Sequence, residues 1–204
     1  MLSAMPRRVP QQSRSRVTRD RLVEAARTCF IAAGYQKTQA RDIAREAGVA
    51  VGTFYEYFPD KGTVFTEILD TFLEDFAALD IARFFSAPAS GDDSIAMRAL
   101  LDETTIYVAS FGALFRDVYG LSAHDADIAA VLEAFESRLE GAVATALVAT
   151  RLRDQPARAP AAGLVIYAVI ESVLFRLHPH EGAPEADALL GEAAQCLAAY
   201  IRTL

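Results

Sequence analysis

The chain has 204 residues, 52% of them hydrophobic, with no Trp and a formal net charge of −7 at pH 7. That length carries one large or two small domains with a substantial core, and its richness in alanine and leucine, with little β-branched alternation, points to an all-helical globular protein. The longest apolar run, 161–170, is cut by Glu171 at about half of the ~20 residues a membrane span needs, and the N-terminus MLSAMPRRVPQQSRSR lacks an apolar h-region, so neither a span nor a signal peptide is expected and the cytoplasm is.

Residues 1–15 are rich in Arg, Pro, Gln and Ser and read as a flexible basic arm. A first helix is expected from about Arg16–Thr18, with Leu22, Ala25, Ala26, Cys29, Phe30 and Ala33 on its apolar face and Gly34 as its stop. Thr38 is the expected N-cap of a short second helix, Gln39 to Ala47, with Ile43, Ala44 and Ala47 facing inward. Gly48 permits a tight turn, Gly52 or Thr53 opens a third helix, and Pro59 closes it after Phe58. Asp60 caps a long fourth helix from Lys61 to about Phe85. Residues 86–93 (SAPASGDD) read as a loop. A fifth helix runs from about Ser94 to Phe111, and Gly112 and Gly120 bracket a short sixth. The seventh covers Asp125 to about Arg153, the eighth Ala161 to Leu177, and the ninth Glu185 to Arg202, about nine in all.

The charge is unevenly divided. Residues 1–62 carry 11 Lys and Arg against 6 Asp and Glu, a net +5, whereas residues 63–204 carry 9 against 21, a net −12. A basic first third on an acidic body points to an anionic partner at one end, with nucleic acid ahead of a membrane surface. Cys29 and Cys196 lie far apart in helical patterns and read as small buried hydrophobes in a reducing compartment.

Residues 38–58 form helix, turn and helix, the layout in which a second helix enters the major groove. Within GVAVGTFYEYFPDK, Phe54 and Phe58 lie four apart and share an inward face with Val51. Tyr55 and Tyr57 then point elsewhere, each with a hydroxyl that can reach a phosphate oxygen. Lys61 stands at a helix N-terminus, where its charge and the free N–H groups favour an anion.

The run TQARDIAREAGVAVGTFYEYFPDKGTVF resembles the DNA-binding signature of the TetR (tetracycline-repressor-like) family of bacterial transcription regulators. The resemblance extends from about Arg16 to Phe76 and, beyond that, only to length and helical layout. It implies a three-helix DNA-binding domain at 16–62, joined by helix four to a ligand-binding and dimerisation domain at 63–204. It also implies that Thr38 caps the second helix and touches a phosphate. Arg41 would reach a base edge or phosphate, Ala50, Val51, Gly52 and Thr53 would lie nearest the bases, and Tyr55, Tyr57 and Lys61 would clamp the backbone. Ala50 and Val51 depart from the polar residues common there, which shifts base readout toward thymine methyls, Arg41 and DNA shape. Glu56 either accepts from a cytosine amine or sits on a solvated face. The arm bearing Arg7, Arg8, Arg14 and Arg16 either follows a minor groove or is a bare tail.

For the body, Tyr107, Phe111, Phe115, Tyr119, Phe135, Tyr167 and Phe175 are candidate pocket-lining aromatics, although core packing explains such residues equally. Glu171, polar inside an apolar helix, is the chief candidate for binding a ligand's polar group, with a salt bridge or an exposed edge as its equal alternative, and Arg116, His124 and Asp102 stand behind it. His178 and His180 in HPHE read as a polar loop, and no metal or cofactor is expected. Leu189, Leu190, Ala193, Cys196, Leu197, Tyr200, Ile201 and Leu204 give the ninth helix a wide apolar face that, with helix eight, is expected to form a four-helix homodimer interface. The expected function is a repressor that binds a palindromic operator as a dimer and is released by a small apolar or amphipathic effector. A ligand-independent DNA-binding or adaptor protein is the alternative. An all-helical enzyme ranks below both, because no nucleophile–base pair, carboxylate pair or phosphate loop stands at a useful spacing.

Overall fold

The computed structural model describes residues 11–77, 79–85, 92–112, 114–177 and 184–204. Among them the regular elements are nine α-helices and two short 3-10 turns, with no strand. The helices group into two compact units, residues 1–69 and 70–204.

The first unit begins with α1 (Gln11–Ala33), which starts earlier than the sequence suggests. Gln, Ser and Arg are tolerated in a helix, so the sequence from Gln11 onward does not oppose it. Arg7 and Arg8 lie outside the described residues. Gly34, at φ 80°, ends α1 in the left-handed conformation.

In α2 (Ala40–Glu46) the N-cap is Gln39, whose backbone N–H donates to the Asp42 carboxylate at 3.1 Å. Thr38 is therefore not the cap. It is 2% exposed, and its hydroxyl donates to the carbonyls of Gly34 (2.9 Å) or Cys29 (3.2 Å). Gly48, at φ 66°, makes the turn into α3 (Val51–Tyr57). This helix opens at Val51, ahead of the expected Gly52 or Thr53, with Ala50 as its cap residue. Phe54 and Phe58 are buried at 0% and 1% exposure, their rings 5.7 Å apart. Val51 does not join them and is 46% exposed.

As the sequence implies, Asp60 caps α4 (Lys61–Ala77), accepting from the Thr63 N–H (2.8 Å) and hydroxyl (3.0 Å). These bonds hold its carboxyl below the usual range. The first half of α4 supplies Val64, Phe65, Ile68 and Leu69 as buried residues of this unit. Phe65 meets Phe30 edge-on at 5.4 Å and Tyr35 at 4.7 Å.

The second unit takes up the rest of α4, which ends at Ala77 rather than near Phe85. A 3-10 turn, Ile81–Phe85, follows. Then come α5 (Asp93–Ala109), α6 (Leu114–Ser122), α7 (Ala126–Thr150), a 3-10 turn at Pro156–Arg158, α8 (Ala159–Leu177) and α9 (Pro184–Arg202). Asp92 caps α5 by accepting from the Ser94 N–H at 2.9 Å, and Asp125 caps α7 by accepting from Asp127 and Ile128 at 3.0 and 3.2 Å. Gly120 does not stop α6, which runs on to Ser122.

The core of this unit joins Leu100, Leu101, Val143, Leu147, Ile166, Ile170, Leu197 and Ile201. α7 and α8 approach closely because Gly163 has no side chain. A Cβ there would stand 2.8 Å from the Glu140 carbonyl oxygen. Asp93 and Arg151, both largely buried, pair at 2.5 Å and tie the start of α5 to the end of α7. The span Pro156–Leu177 is long and apolar enough to cross a membrane, further than the 161–170 run implies, because Glu171 interrupts that run without ending the helix. Here Ala162, Gly163, Ile166, Ile170, Val173 and Leu174 on α8 are buried within the unit.

Candidate nucleic-acid interface and effector region

The turn at Gly48 leaves one side of α3 uncovered among the described residues. Ala50, Val51, Gly52, Tyr55 and Glu56 are exposed, Tyr55 at 57%, while Thr53 and Tyr57 are half-buried at the edges. The Tyr57 hydroxyl lies 3.2 Å from Ser15 Oγ, which joins the end of α3 to the first turns of α1. Arg41 is exposed on α2. The unit thus presents a shallow apolar and small-residue strip, flanked by an arginine and a tyrosine, supported by Phe54 and Phe58 beneath.

Two of the expected contacts sit elsewhere. Thr38 is buried with its hydroxyl committed to carbonyls, so it cannot touch a phosphate as it stands. Lys61 is half-buried. Its Nζ donates to the Tyr35 carbonyl at 2.8 Å and the Thr38 carbonyl at 3.0 Å, and burial pulls its ammonium below the ordinary lysine range.

Sequence reasoning missed Arg19, Arg21 and Tyr35. Arg19 donates two bonds to Glu67, at 2.8 and 2.5 Å, and lies over the Phe58 ring. Arg21 donates to the Ala47 carbonyl at the C-terminus of α2. For the two arginines the signal was position. Each borders the apolar face of α1, where a long cation lays its stem on the core and its head on a neighbouring helix. The net +5 therefore overstates the charge offered outward, because three of those cations serve the unit's own architecture.

In the second unit, the aromatic candidates form two groups. Phe111 stacks on Phe72 at 3.6 Å, Tyr107 donates its hydroxyl to the Phe72 carbonyl at 3.1 Å, and Phe135 meets Phe76 at 5.6 Å. These rings pack against one another. Phe135 also lines a groove of about 320 Å³ with Leu73, Ala134 and Arg138. In the other group the Tyr119 hydroxyl donates to Glu171 at 2.9 Å, and its ring meets Phe115 and Phe175 edge-on at 5.6 and 5.9 Å. Glu136 is close enough, with Glu171 and Glu140, that burial and neighbouring carboxylates raise its pKa. The same surroundings push the Tyr119 and Tyr167 phenols strongly upward, burial leading. Glu171 thus has a partner within the chain. Asp102 pairs with Arg98 at 2.9 Å, and His124 is exposed. His178 and His180 lie outside the described residues, as does the Arg116 side chain.

The expected dimer face needs correction. Leu190, Ala193, Leu197 and Ile201 belong to the chain's own core, and Leu189, Tyr200 and Leu204 pack against it. α9 turns this face inward because α5 and α8 lie against it. Large apolar groups left outside are on α8, with Leu164 at 50%, Val165 at 44% and Phe175 at 47% exposure, and on α5, with Ile95 at 70% and Ile106 at 73%.

The molecule is thus an all-helical protein whose first unit is a helix-turn-helix module with an uncovered second helix. Residues 22–68 match the family described as bacterial regulatory proteins, tetR family. The HTH-type transcriptional repressor KstR2 of Rhodococcus jostii is 38% identical over 92 residues, 45% of this chain and 42% of that protein. The aligned part thus spans about two-fifths of that relative's length. Among solved structures, a TetR-family protein of Mesorhizobium loti superposes with a TM-score of 0.72 at 16% identity, covering 93% of this chain and 97% of the other. A tetR-family transcriptional regulator of Streptomyces coelicolor gives 0.70 at 19% identity, covering 91% and 80%. Residues 22–68 thus match the tetR family, and the fold as a whole is that of the solved structures above.

Proposed function

We propose that this chain is a DNA-binding transcriptional repressor that acts as a homodimer on a roughly palindromic operator and is released by a small apolar or amphipathic effector. One observation carries the reading: the bared side of α3, with Val51 and Tyr55 exposed above a fully buried Phe54. Arg41, Ala50, Val51, Gly52, Thr53, Tyr55 and Tyr57 form its DNA-facing set. Repression as the outcome follows the Rhodococcus jostii relative, an HTH-type transcriptional repressor. The subunits pair through the outer face of α8 around Leu164, Val165 and Phe175. An effector's apolar part lies among the aromatics of the second unit, and its polar end meets Tyr119 and Glu171. α4 contributes residues to both units and is the element through which the effector is read. The effector must favour the conformation that binds DNA less well, since only differential affinity shifts an equilibrium.

The test is an anisotropy titration against the duplex upstream of the protein's own gene, with Tyr55→Phe combined with Arg41→Ala as control. Salt-sensitive binding by the wild type, lost in the control, is expected. Absence of binding at low salt to that duplex and to random duplexes would overturn the reading.

The stacked Phe72 and Phe111 favour a second reading, a ligand-independent DNA-binding protein, because rings packed at 3.6 Å leave no room between them. A thermal-shift screen with amphipathic molecules separates the two. Stabilisation coupled to release of DNA supports the effector.

A further inference from the structure

We propose that Val51 reads the 5-methyl group of a pyrimidine in the major groove, the group that thymine and 5-methylcytosine share. The inference rests on the DNA-binding reading above and adds to it what the uncovered side of α3 recognises.

The tip of α3 has no side-chain group that can hydrogen-bond a base. Ala50, Val51 and Gly52 are exposed in succession, and none of them carries a side-chain donor or acceptor. Thr53 follows half-buried. Tyr55 and Glu56, the polar residues of the same exposed strip, stand one turn further on, about 6 Å along the axis from Val51. A base pair shows the major groove donors, acceptors and, on thymine, an apolar methyl at C5. An apolar tip finds its complement only in that methyl, and a cytosine methylated at C5 presents the same group at the same place. Val51 is the residue placed to meet it. It opens α3 and is 46% exposed, so the contact would take two apolar surfaces out of water together.

Gly52 is a second, independent observation. Its backbone is helical, where glycine is disfavoured against alanine. Gly48 and Gly163 have reasons inside the protein, a left-handed backbone in the first and a backbone oxygen 2.8 Å from an added Cβ in the second. Gly52 has neither. A Cβ there would meet nothing within 4 Å among the described residues. The fold does not ask for this glycine, whereas a surface approaching α3 from outside does. With no side chain at position 52, the helix can sink until Val51 touches a methyl on a base edge.

The test begins with duplexes selected by the full chain from a random pool at low salt. Thymine is expected at a fixed position of each half-site. At that position T·A is compared with U·A, and 5-methylcytosine·G with C·G, so that each couple differs only in the methyl. Removing the methyl is expected to weaken the wild type about fourfold at each half-site, the worth of one methyl taken out of water. Val51→Ala is expected to bind the two members of each couple equally, and this comparison cancels any effect of the methyl on the duplex itself. A methyl effect in both couples assigns the contact to the methyl whichever base bears it; an effect in the T·A couple alone supports the proposal with thymine as its source. Gly52→Ala is expected to keep or raise Tm while weakening binding to the selected duplex at least several-fold. Selection without a fixed thymine, or a methyl effect that survives in Val51→Ala, overturns the proposal and leaves the DNA-binding reading standing. Absence of binding to any duplex fails that reading, and the proposal falls with it.

Discussion

Gly48 is the residue whose conformation the interface can least do without. At φ 66° it sits where an L side chain is strained, and an added Cβ would meet the Arg21 guanidinium at 3.2 Å. Gly48→Ala is expected to cost ~1–2 kcal/mol from the left-handed backbone, read as a lower midpoint in urea. Glu136 gives a prediction with a definite pH sense. Burial and the Glu171, Glu140 and Glu133 carboxylates raise its folded pKa above the unfolded value. The folded state then holds a proton that the unfolded state has released, so stability falls as pH rises through the shifted value. Glu136→Gln is expected to raise the unfolding midpoint at pH 7, with the gain vanishing below about pH 4, the ordinary glutamate range. A gain of equal size at both pH values would mean that packing, not charge, is responsible. At this scale the sequence was legible where a residue's chemistry acts locally. Asp60 as a cap and Gly48 as a turn could both be read directly. Thr38 and Lys61 could not, because the carbonyls they bond come from another element, and no spacing along the chain shows which carbonyls will be stranded.

Helices three, seven and eight divide sharply between faces that pack and faces that do not, and mutation should report that division. Phe54→Ala removes a fully buried ring and is expected to cost ~3–5 kcal/mol, whereas Tyr55→Ala, exposed and meeting the Phe54 ring only edge-on, should cost far less stability and weaken DNA binding. Equal stability losses in the two would refute the assignment of faces. Gly163→Ala pushes a methyl toward the Glu140 carbonyl and the Ala144 Cβ, and the overpacked α7–α8 contact is expected to lose ~1–3 kcal/mol. In a domain of this size that is a fall in Tm of about 2–4 °C per kcal/mol. Apolar periodicity located nearly every helix, because burying a stripe is what the pattern encodes. It did not say which apolar stripe meets which neighbour. Leu190, Ala193, Leu197 and Ile201 are a correctly recognised face assigned to the wrong partner. The periodicity of α9 is the same whether α5 or a second subunit covers it.

For the molecule as a whole, burial of the α9 face leaves α8 as the proposed self-association surface. Replacing Leu164 and Phe175 by lysine is expected to yield a folded monomer in sedimentation, since both are about half exposed in the single chain. Leu197→Ala should instead lower stability by ~2–5 kcal/mol. Dissociation of subunits by the α9 substitution, with stability unchanged, would restore α9 beside α8 in the interface, as the periodicity suggests. The interior of the second unit has a kinetic counterpart. Phe72 and Phe111 stack on each other, and Phe76, Tyr107 and Phe135 pack around them, so the proposed effector would find the space among these rings already filled. A ligand reaching that space must wait for the rings to part. Its observed association rate should therefore climb with concentration only until it reaches the rate of parting, and then level off. The apparent affinity would be reduced by the fraction of time the rings are closed. A regulator built this way would ignore brief encounters and respond to molecules that persist.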